Sequence, residues 1–211
     1  MKKICLSIAV LAISFVSANA QAKFGVKLGG NFYTLGGDDT KGSDVKSKVG
    51  FNFGGVCNIP VSEHFSVQPE LLYSIQGTKL DNYGGNSNDR INFNLNYVNV
   101  PVMLQFTSDG GFYGELGPQI GFLVTAKEDY KIGSTSGDID VKDSFKGTDF
   151  SVNAGIGYKS PGGFGVNGRY NVGLSNIADS PSGDLKNRGF SINIFYMFKM
   201  GPKDKGKGKD K

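Results

Sequence analysis

The stretch FYGELGPQIGFL, residues 112–123, places an acidic side chain among apolar ones with no cation nearby. Phe112, Leu116, Ile120 and Phe122 fall on alternating positions, the period of a β-strand with one apolar face. Glu115 then belongs to the opposite face of that strand. The fold must therefore cover an apolar face and neutralise a carboxylate on the other side of the same strand.

The N-terminus has the parts of a secretory signal. Lys2 and Lys3 precede the apolar run ICLSIAVLAISFV, and Ala18-Asn19-Ala20 matches the small-residue cleavage pattern. Because the apolar run is too short for a spanning helix, we predict a cleaved signal peptide, residues 1–20. Cys57 is then the only cysteine left, so an intramolecular disulfide is excluded.

The basic balance of the whole chain comes from its two ends. The signal carries two of the 23 Lys and Arg, and the tail 200–211 carries five Lys and two of the 19 acidic residues. This leaves 16 cations and 17 anions between Gln21 and Lys199. A nearly neutral body without a basic stripe gives no support to nucleic-acid binding. The low-complexity tail is predicted to be disordered and periplasmic.

Period-two alternation recurs eight times and predicts eight strands. They cover residues 24–33, 49–59, 65–77, 91–106, 111–127, 149–159, 164–174 and 189–198. In the fourth strand the apolar positions change from odd to even numbers, which predicts a β-bulge between Asn96 and Val98.

The connections between these strands alternate in length. Long segments rich in Gly, Ser, Asn and Asp cover 36–47, 78–90, 128–147 and 175–187, and short ones cover 60–64, 107–111 and 160–163. Long loops on one side and tight turns on the other are typical of a transmembrane barrel. Residues 21–199 are therefore predicted to form an all-β, eight-stranded antiparallel up-and-down transmembrane β-barrel, with both termini in the periplasm.

The polarity of the two strand faces decides between two kinds of barrel. A lipocalin-like barrel points its apolar face inward, whereas a membrane barrel points it toward lipid. The face opposite the apolar one is mostly Asn, Gln, Ser and Gly, which favours the membrane barrel. Phe24, Phe65, Phe112 and Phe164 at the short-turn end suit an interfacial girdle. Tyr196 and Phe198 in the last strand resemble the signal that barrel assembly machinery recognises.

Charged residues on the polar faces fall at one predicted height. Lys27, Glu70, Glu115 and Arg169 lie at similar depths in strands one, three, five and seven, so they are predicted to form one layer in the lumen. We expect the planar fork of Arg169 to hold Glu115 with two hydrogen bonds. The remaining polar groups of the layer are assigned to Gln68, Gln105 and Gln119.

Six segments together resemble the PorT-like outer membrane β-barrel family, often labelled porin family proteins. They are FGVKLGGNF, SVQPELLYSIQG, LNYVNVPVMLQF, FYGELGPQIGFL, VKDSFKGTDFSVNAGIGYK and GVNGRYNVGLSNI. The resemblance implies an eight-stranded barrel in the outer membrane of a Gram-negative bacterium. Members of the family often carry an acid and a base in strand four, where this chain has Asn99 and Gln105.

The sequence offers little catalytic or metal-binding chemistry. Small outer-membrane barrel enzymes need a catalytic His near the outer rim, but His64, the single histidine, lies in a predicted periplasmic turn. Asp138, Asp140 and Asp143 have a spacing that suits calcium, yet the Gly turn and terminal Glu of a calcium loop are missing. We therefore predict no enzyme activity, cofactor or metal, and we assign Cys57 to the lipid-facing surface.

The sequence leaves three functions open for a monomeric barrel in outer-membrane lipid. The first is a charge-plugged protein that acts through its extracellular loops in surface structure or in interaction with a protein partner. The second is a narrow porin for ions or small solutes, and the third is a component of a protein secretion machine. The charged layer favours the first, because eight strands leave room for little more than side chains.

Overall fold

The computed structural model describes residues 22–37, 45–81, 89–180 and 183–198. The predicted signal peptide and the predicted tail 200–211 lie outside the described residues. The strands are β1 (Lys23–Gly36), β2 (Val45–Pro60), β3 (Phe65–Asp81), β4 (Arg90–Thr107), β5 (Phe112–Ile132), β6 (Thr135–Asp140), β7 (Thr148–Lys159), β8 (Phe164–Gly173) and β9 (Lys186–Met197).

Eight of these strands close into an antiparallel ring. Neighbours in the chain pair with each other around the ring, and β1 pairs with β9 from Gly25↔Met197 to Gly36↔Lys186. β5 pairs with β4 on one side and with β7 on the other. β6 stands outside the ring and pairs with the outer end of β5. The predicted eight-stranded up-and-down barrel is confirmed, and β6 is an additional strand within the predicted loop 128–147.

The ring turns its apolar side chains outward and its polar side chains inward. Large apolar residues on every ring strand are exposed, whereas the inward positions of β1, β3, β7 and β8 bury mostly Asn, Gln, Ser and charged groups. A soluble protein buries its apolar face, so this inversion belongs to a barrel in hydrocarbon. In the described part of the chain, no helix is long and apolar enough to cross a membrane.

Two of the tight turns share one hydrogen-bond pattern. In the first turn, Ser108 N–H donates to Phe112 O at 2.8 Å and Gly111 N–H donates to Ser108 O at 2.9 Å. In the second turn, Ser160 N–H donates to Phe164 O and Gly163 N–H donates to Ser160 O. Gly111 has φ = 85°, a conformation that favours glycine. An added Cβ there would also lie 2.4 Å from Lys159 O. The Ser-x-Gly-Gly sequence thus returns the chain in two successive turns at the same end of the barrel.

The predicted bulge lies at the right height but in the wrong strand. β4 keeps its odd-numbered residues inward throughout, so the apolar side chains of Ile91 and Leu95 face the lumen. The pairing instead changes from Asn96↔Thr125 to Tyr97↔Leu123, which leaves Val124 of β5 as the extra residue. The switch between odd-numbered and even-numbered inward residues therefore occurs in β5. The apolar residues at odd-numbered positions of β4 face the interior of the barrel.

The outer strand ends extend further than the sequence indicated. β3 continues to Asp81, β4 begins at Arg90, and β5 continues to Ile132 before the hairpin to β6. Parts of the predicted loops 78–90 and 128–147 are therefore strand. The outer ends of β3, β4 and β5, together with β6, form a sheet that we call the outer arm.

A pair of arginine substitutions tests the lipid-facing orientation. Leu116 on β5 and Val61 in a tight turn are 58% and 60% exposed, so a soluble barrel would tolerate Arg equally at both positions. We expect Leu116→Arg to lower the free energy of unfolding by about 2–4 kcal/mol in lipid vesicles, because it places a cation in hydrocarbon. Val61→Arg is the matched control and should cost almost nothing. Urea unfolding followed by heat-modifiable gel migration gives both values; equal costs would contradict the orientation.

Candidate functional site

Four charged side chains from four strands meet inside the barrel. Lys27 of β1, Glu70 of β3, Glu115 of β5 and Arg169 of β8 are each at most 5% exposed. Period-two alternation places them inward, because their neighbours in each strand carry the lipid-facing side chains. We call these four residues the ionic layer.

Arg169 contacts both carboxylates of the ionic layer. Its Nη1 and Nη2 donate to the two oxygens of Glu70 at 2.9 and 3.0 Å, and its Nε donates to Glu115 Oε1 at 2.9 Å. Lys27 Nζ donates to Glu70 Oε1 at 2.6 Å. Nη2 also lies 2.9 Å from Glu115 Oε1, so the expected contact between Arg169 and Glu115 is present. The same guanidinium also binds both oxygens of Glu70, and one arginine bridges two acids.

Amide side chains complete the shell around the two carboxylates. Gln68 donates to Glu70 Oε1 at 2.8 Å, Gln105 donates to Glu115 Oε2 at 3.0 Å, and Asn167 donates to Glu115 Oε1 at 2.9 Å. Gln119 was assigned to the same task, but it accepts a hydrogen bond from Asn153 at 3.1 Å. Asn167 is the donor that sequence reasoning missed.

Asparagines continue the hydrogen-bonded network from the ionic layer along the lumen. Asn193 donates to Asn167, Asn52 donates to both Asn193 and Asn31, and Asn31 donates to Ser74, at 2.7–2.9 Å. A cavity of about 20 Å³ borders Asn31, Asn52, Asn193 and Arg169, about the space that one water needs. This part of the lumen is a packed polar core.

An apolar cluster covers the outer side of the polar core. Its members come from β1, β4, β5 and two loops, and we call it the outer plug: Leu35, Leu95, Tyr97, Leu123, Ala126, Phe145 and Ile177. The loops after β6 and β8 are joined over it by the bridge Phe145↔Ala178 and by Lys146 N–H donating to Ile177 O at 2.8 Å. The backbone of two loops therefore holds the outer plug in place.

A second apolar cluster lies at the tight-turn end of the lumen. This inner plug consists of Val56, Tyr113, Phe195 and Met197. Beside it, Asn58 donates to Ser66 and to Gln105 at 2.9 and 3.0 Å. Neither plug was predicted from the sequence. Apolar residues on both faces at a strand end, as in FYM (195–197), were the available signal.

The other residues singled out by sequence lie away from the ionic layer. His64 Nδ1 is 3.1 Å from Thr107 O in a turn, and Cys57 is a free thiol on the outward side of β2. Asp138 forms an ion pair with Lys127 Nζ at 3.1 Å. Asp140 accepts a hydrogen bond from the Lys142 backbone N–H at 2.9 Å. The acidic segment thus uses two of its carboxylates in local contacts.

The family comparison agrees with this geometry. Residues 17–179 match the model of the family described as outer membrane protein beta-barrel domain, so the chain belongs to that family and is a small outer-membrane β-barrel protein. The search of curated proteins gave no significant match.

Solved barrels resemble the chain in fold. Neisserial surface protein A is 14% identical, with 84% of this chain and 99% of that one covered and a TM-score of 0.51. Ail, the attachment invasion locus protein of Yersinia pestis, is 18% identical, with 84% of this chain and 99% of that one covered and a TM-score of 0.48. The N-terminal β-barrel domain of Pseudomonas aeruginosa OprF is 11% identical, with 85% of this chain and 100% of that one covered and a TM-score of 0.44.

Removing the arginine should disturb the ionic layer more than removing either acid. Arg169→Ala leaves Glu70 and Glu115 buried without their shared cation, and we expect it to lower the free energy of unfolding by about 3–5 kcal/mol. Glu115→Gln should cost less, because the amide keeps a hydrogen-bonding shape and Glu70 still balances Arg169.

Heat-modifiable gel migration across a temperature series gives the unfolding temperatures of these variants. Lys127→Ala is the control, since it removes a cation from an exposed ion pair and should leave the unfolding temperature almost unchanged. Equal unfolding temperatures for all three variants would show that the ionic layer does not stabilise the barrel.

Proposed function

We propose that this protein is a non-enzymatic integral outer-membrane barrel with a closed lumen that acts at the cell surface through its extracellular loops. It is exported by a cleaved signal peptide, residues 1–20, into the outer membrane of a Gram-negative bacterium. It works there as a monomer, after assembly by the barrel assembly machinery. Its role is in surface structure or in interaction with a protein partner.

The observation that carries this proposal is the series of closures along the lumen. An ion that entered from outside would meet the apolar outer plug, then the ionic layer with its amide shell, then the inner plug. Apolar constrictions block ions because they strip water from the ion without replacing it. The narrow-porin alternative would need all of these closures to open together.

The extracellular side is the part of the molecule left to perform the function. Loops vary in function while the scaffold that carries them is kept rigid, and here two loops are fixed by the Phe145↔Ala178 bridge. The outer arm adds ordered strand beyond the ring, including β6. Participation in a secretion machine has no such feature in its favour, and the PorT-like resemblance does not by itself assign that role.

Conductance of the refolded protein tests the closed lumen. In planar bilayers we expect no steady current from the wild-type protein. A variant with Leu95→Ala and Leu123→Ala, which removes side-chain volume from the outer plug, should also give no current. The ionic layer and the inner plug still block its path in series. Heat-modifiable migration provides the control for folding of each sample. A steady wild-type current with single-channel steps would overturn the proposal and favour the narrow pore.

Epitope insertion tests which side of the barrel carries the function. A short epitope between Gly133 and Ser134, at the tip of the β5–β6 hairpin, should bind antibody on intact cells. The matched insertion between Gly110 and Gly111, in a tight turn, should bind antibody only after the outer membrane is permeabilised. The reverse pattern would place the tight turns outside and refute the surface role of the long loops.

A further inference from the structure

β6 leaves one edge of the outer arm unpaired. It is the last strand of the sheet and pairs with β5 alone, from Lys127↔Asp140 to Ile132↔Thr135. All six of its residues are exposed. Within the described ranges, the backbone bonds outside the ladders do not engage residues 135–140. An open strand edge with free N–H and C=O groups is a template for a further strand.

The register identifies the backbone groups on this edge. Val141 N–H donates to Ala126 O at 3.0 Å, so odd-numbered residues of this segment bond to β5. Because bonded and non-bonded pairs alternate along an antiparallel ladder, Ser136, Asp138 and Asp140 direct their N–H and C=O groups away from β5. Three residues at spacing two offer the donors and acceptors for one short added strand.

The edge is held in place on its paired side. Asp89 Oδ1 accepts the Gly133 N–H at 2.8 Å at the hairpin tip, and Lys127 Nζ contacts Asp138 at 3.1 Å. Tyr130 lies over Gly137, where an added Cβ would come within 2.7 Å of its hydroxyl. A preordered edge costs less conformational entropy on binding than a loose loop does.

The charge on β6 selects among possible partners. The strand, TSGDID, carries two carboxylates, no Lys and no Pro, and Ile139 is 51% exposed. Natural edge strands often carry Lys or Pro, which hinder pairing with a further strand, and β6 has neither. A second copy of β6 would bring like charges together across the new ladder, which is unfavourable. An extended segment with alternating cationic and apolar side chains matches Asp140, whose carboxylate is not paired with Lys127 as that of Asp138 is, and Ile139.

We propose that the free edge of β6 binds an extended cationic segment of a partner protein by strand addition. This inference rests on the proposed surface function and identifies its partner class and its binding site. Backbone hydrogen bonds to Ser136, Asp138 and Asp140 provide the affinity. The Asp140 carboxylate, which unlike Asp138 is not paired with Lys127, provides the selection for a cation-bearing strand.

The test uses the full mature barrel in zwitterionic nanodiscs and a fluorescent decapeptide of alternating Lys and Val. We expect saturable binding by fluorescence anisotropy. The Glu–Val decapeptide should not bind. A Lys–Val decapeptide that is N-methylated on alternate residues along one edge should bind about tenfold more weakly than its parent, since it retains the charges but loses edge donors.

Substitutions on β6 separate backbone pairing from charge. Ser136→Pro removes an N–H that does not bond to β5, and we expect it to weaken peptide binding about tenfold while heat-modifiable migration stays unchanged. Ser136→Ala, the matched control, retains the N–H and should bind as the wild type does. Asp140→Asn should weaken binding about two- to threefold, an effect that salt reduces.

Three results would overturn the inference: no saturable binding of the Lys–Val peptide, equal binding of its N-methylated form, or wild-type affinity in Ser136→Pro. Each is compatible with a non-conducting barrel that is exposed to antibody at residue 133. Failure of the edge proposal is therefore distinguishable from failure of the proposed surface function, which a steady current or a reversed epitope pattern would show.

Discussion

A buried cation surrounded by hydrocarbon has to be neutralised within the barrel, and Arg169 imposes this constraint here. Its guanidinium holds Glu70 and Glu115 at 2.9–3.0 Å, and Lys27 balances the second negative charge. The four charges sum to zero, so the layer carries no net charge. Charges that are fully paired and surrounded by amide donors also fix one packing of the lumen, since an alternative rotamer would leave a charge unpaired.

The length of the strands accounts for the apolar clusters on either side of the ionic layer. Seven of the eight ring strands are longer than the roughly 9–11 residues that a spanning strand needs, the exception being β8, and their ends enclose space on both sides of the ionic layer. Apolar side chains fill that space, as the outer plug at the loop end and the inner plug at the turn end. The lumen thus alternates apolar, polar and apolar zones along the barrel axis.

The sequence was sufficient for the strands and their polarity, because alternation is a local signal that repeats in every strand. It also placed the four charges at one height, since position counted from the tight turns is set by strand rise. It paired Arg169 with Glu115 as well, but it did not indicate that the guanidinium also binds both oxygens of Glu70. Barrel stagger, which sequence does not give, decides which acids face Nη1 and Nη2. The bulge was placed in β4 because Leu95 was assumed to face lipid. Where the interior becomes apolar near the end of a strand, the apolar positions in the sequence shift from the lipid-facing residues to the inward-facing ones. This shift resembles the pattern that a β-bulge produces.

The outer arm continues strands of the closed ring into a sheet that does not close. The Val124 bulge shifts the phase of β5, and beyond it β5 pairs with β6 instead of β7. The ring therefore closes below the bulge, while the outer arm above it opens a strand edge toward the surroundings. Closing the ring removes edges inside the membrane, where an unpaired backbone group is costly. Above the membrane water can satisfy those groups, so an open edge is tolerated there and is available for binding.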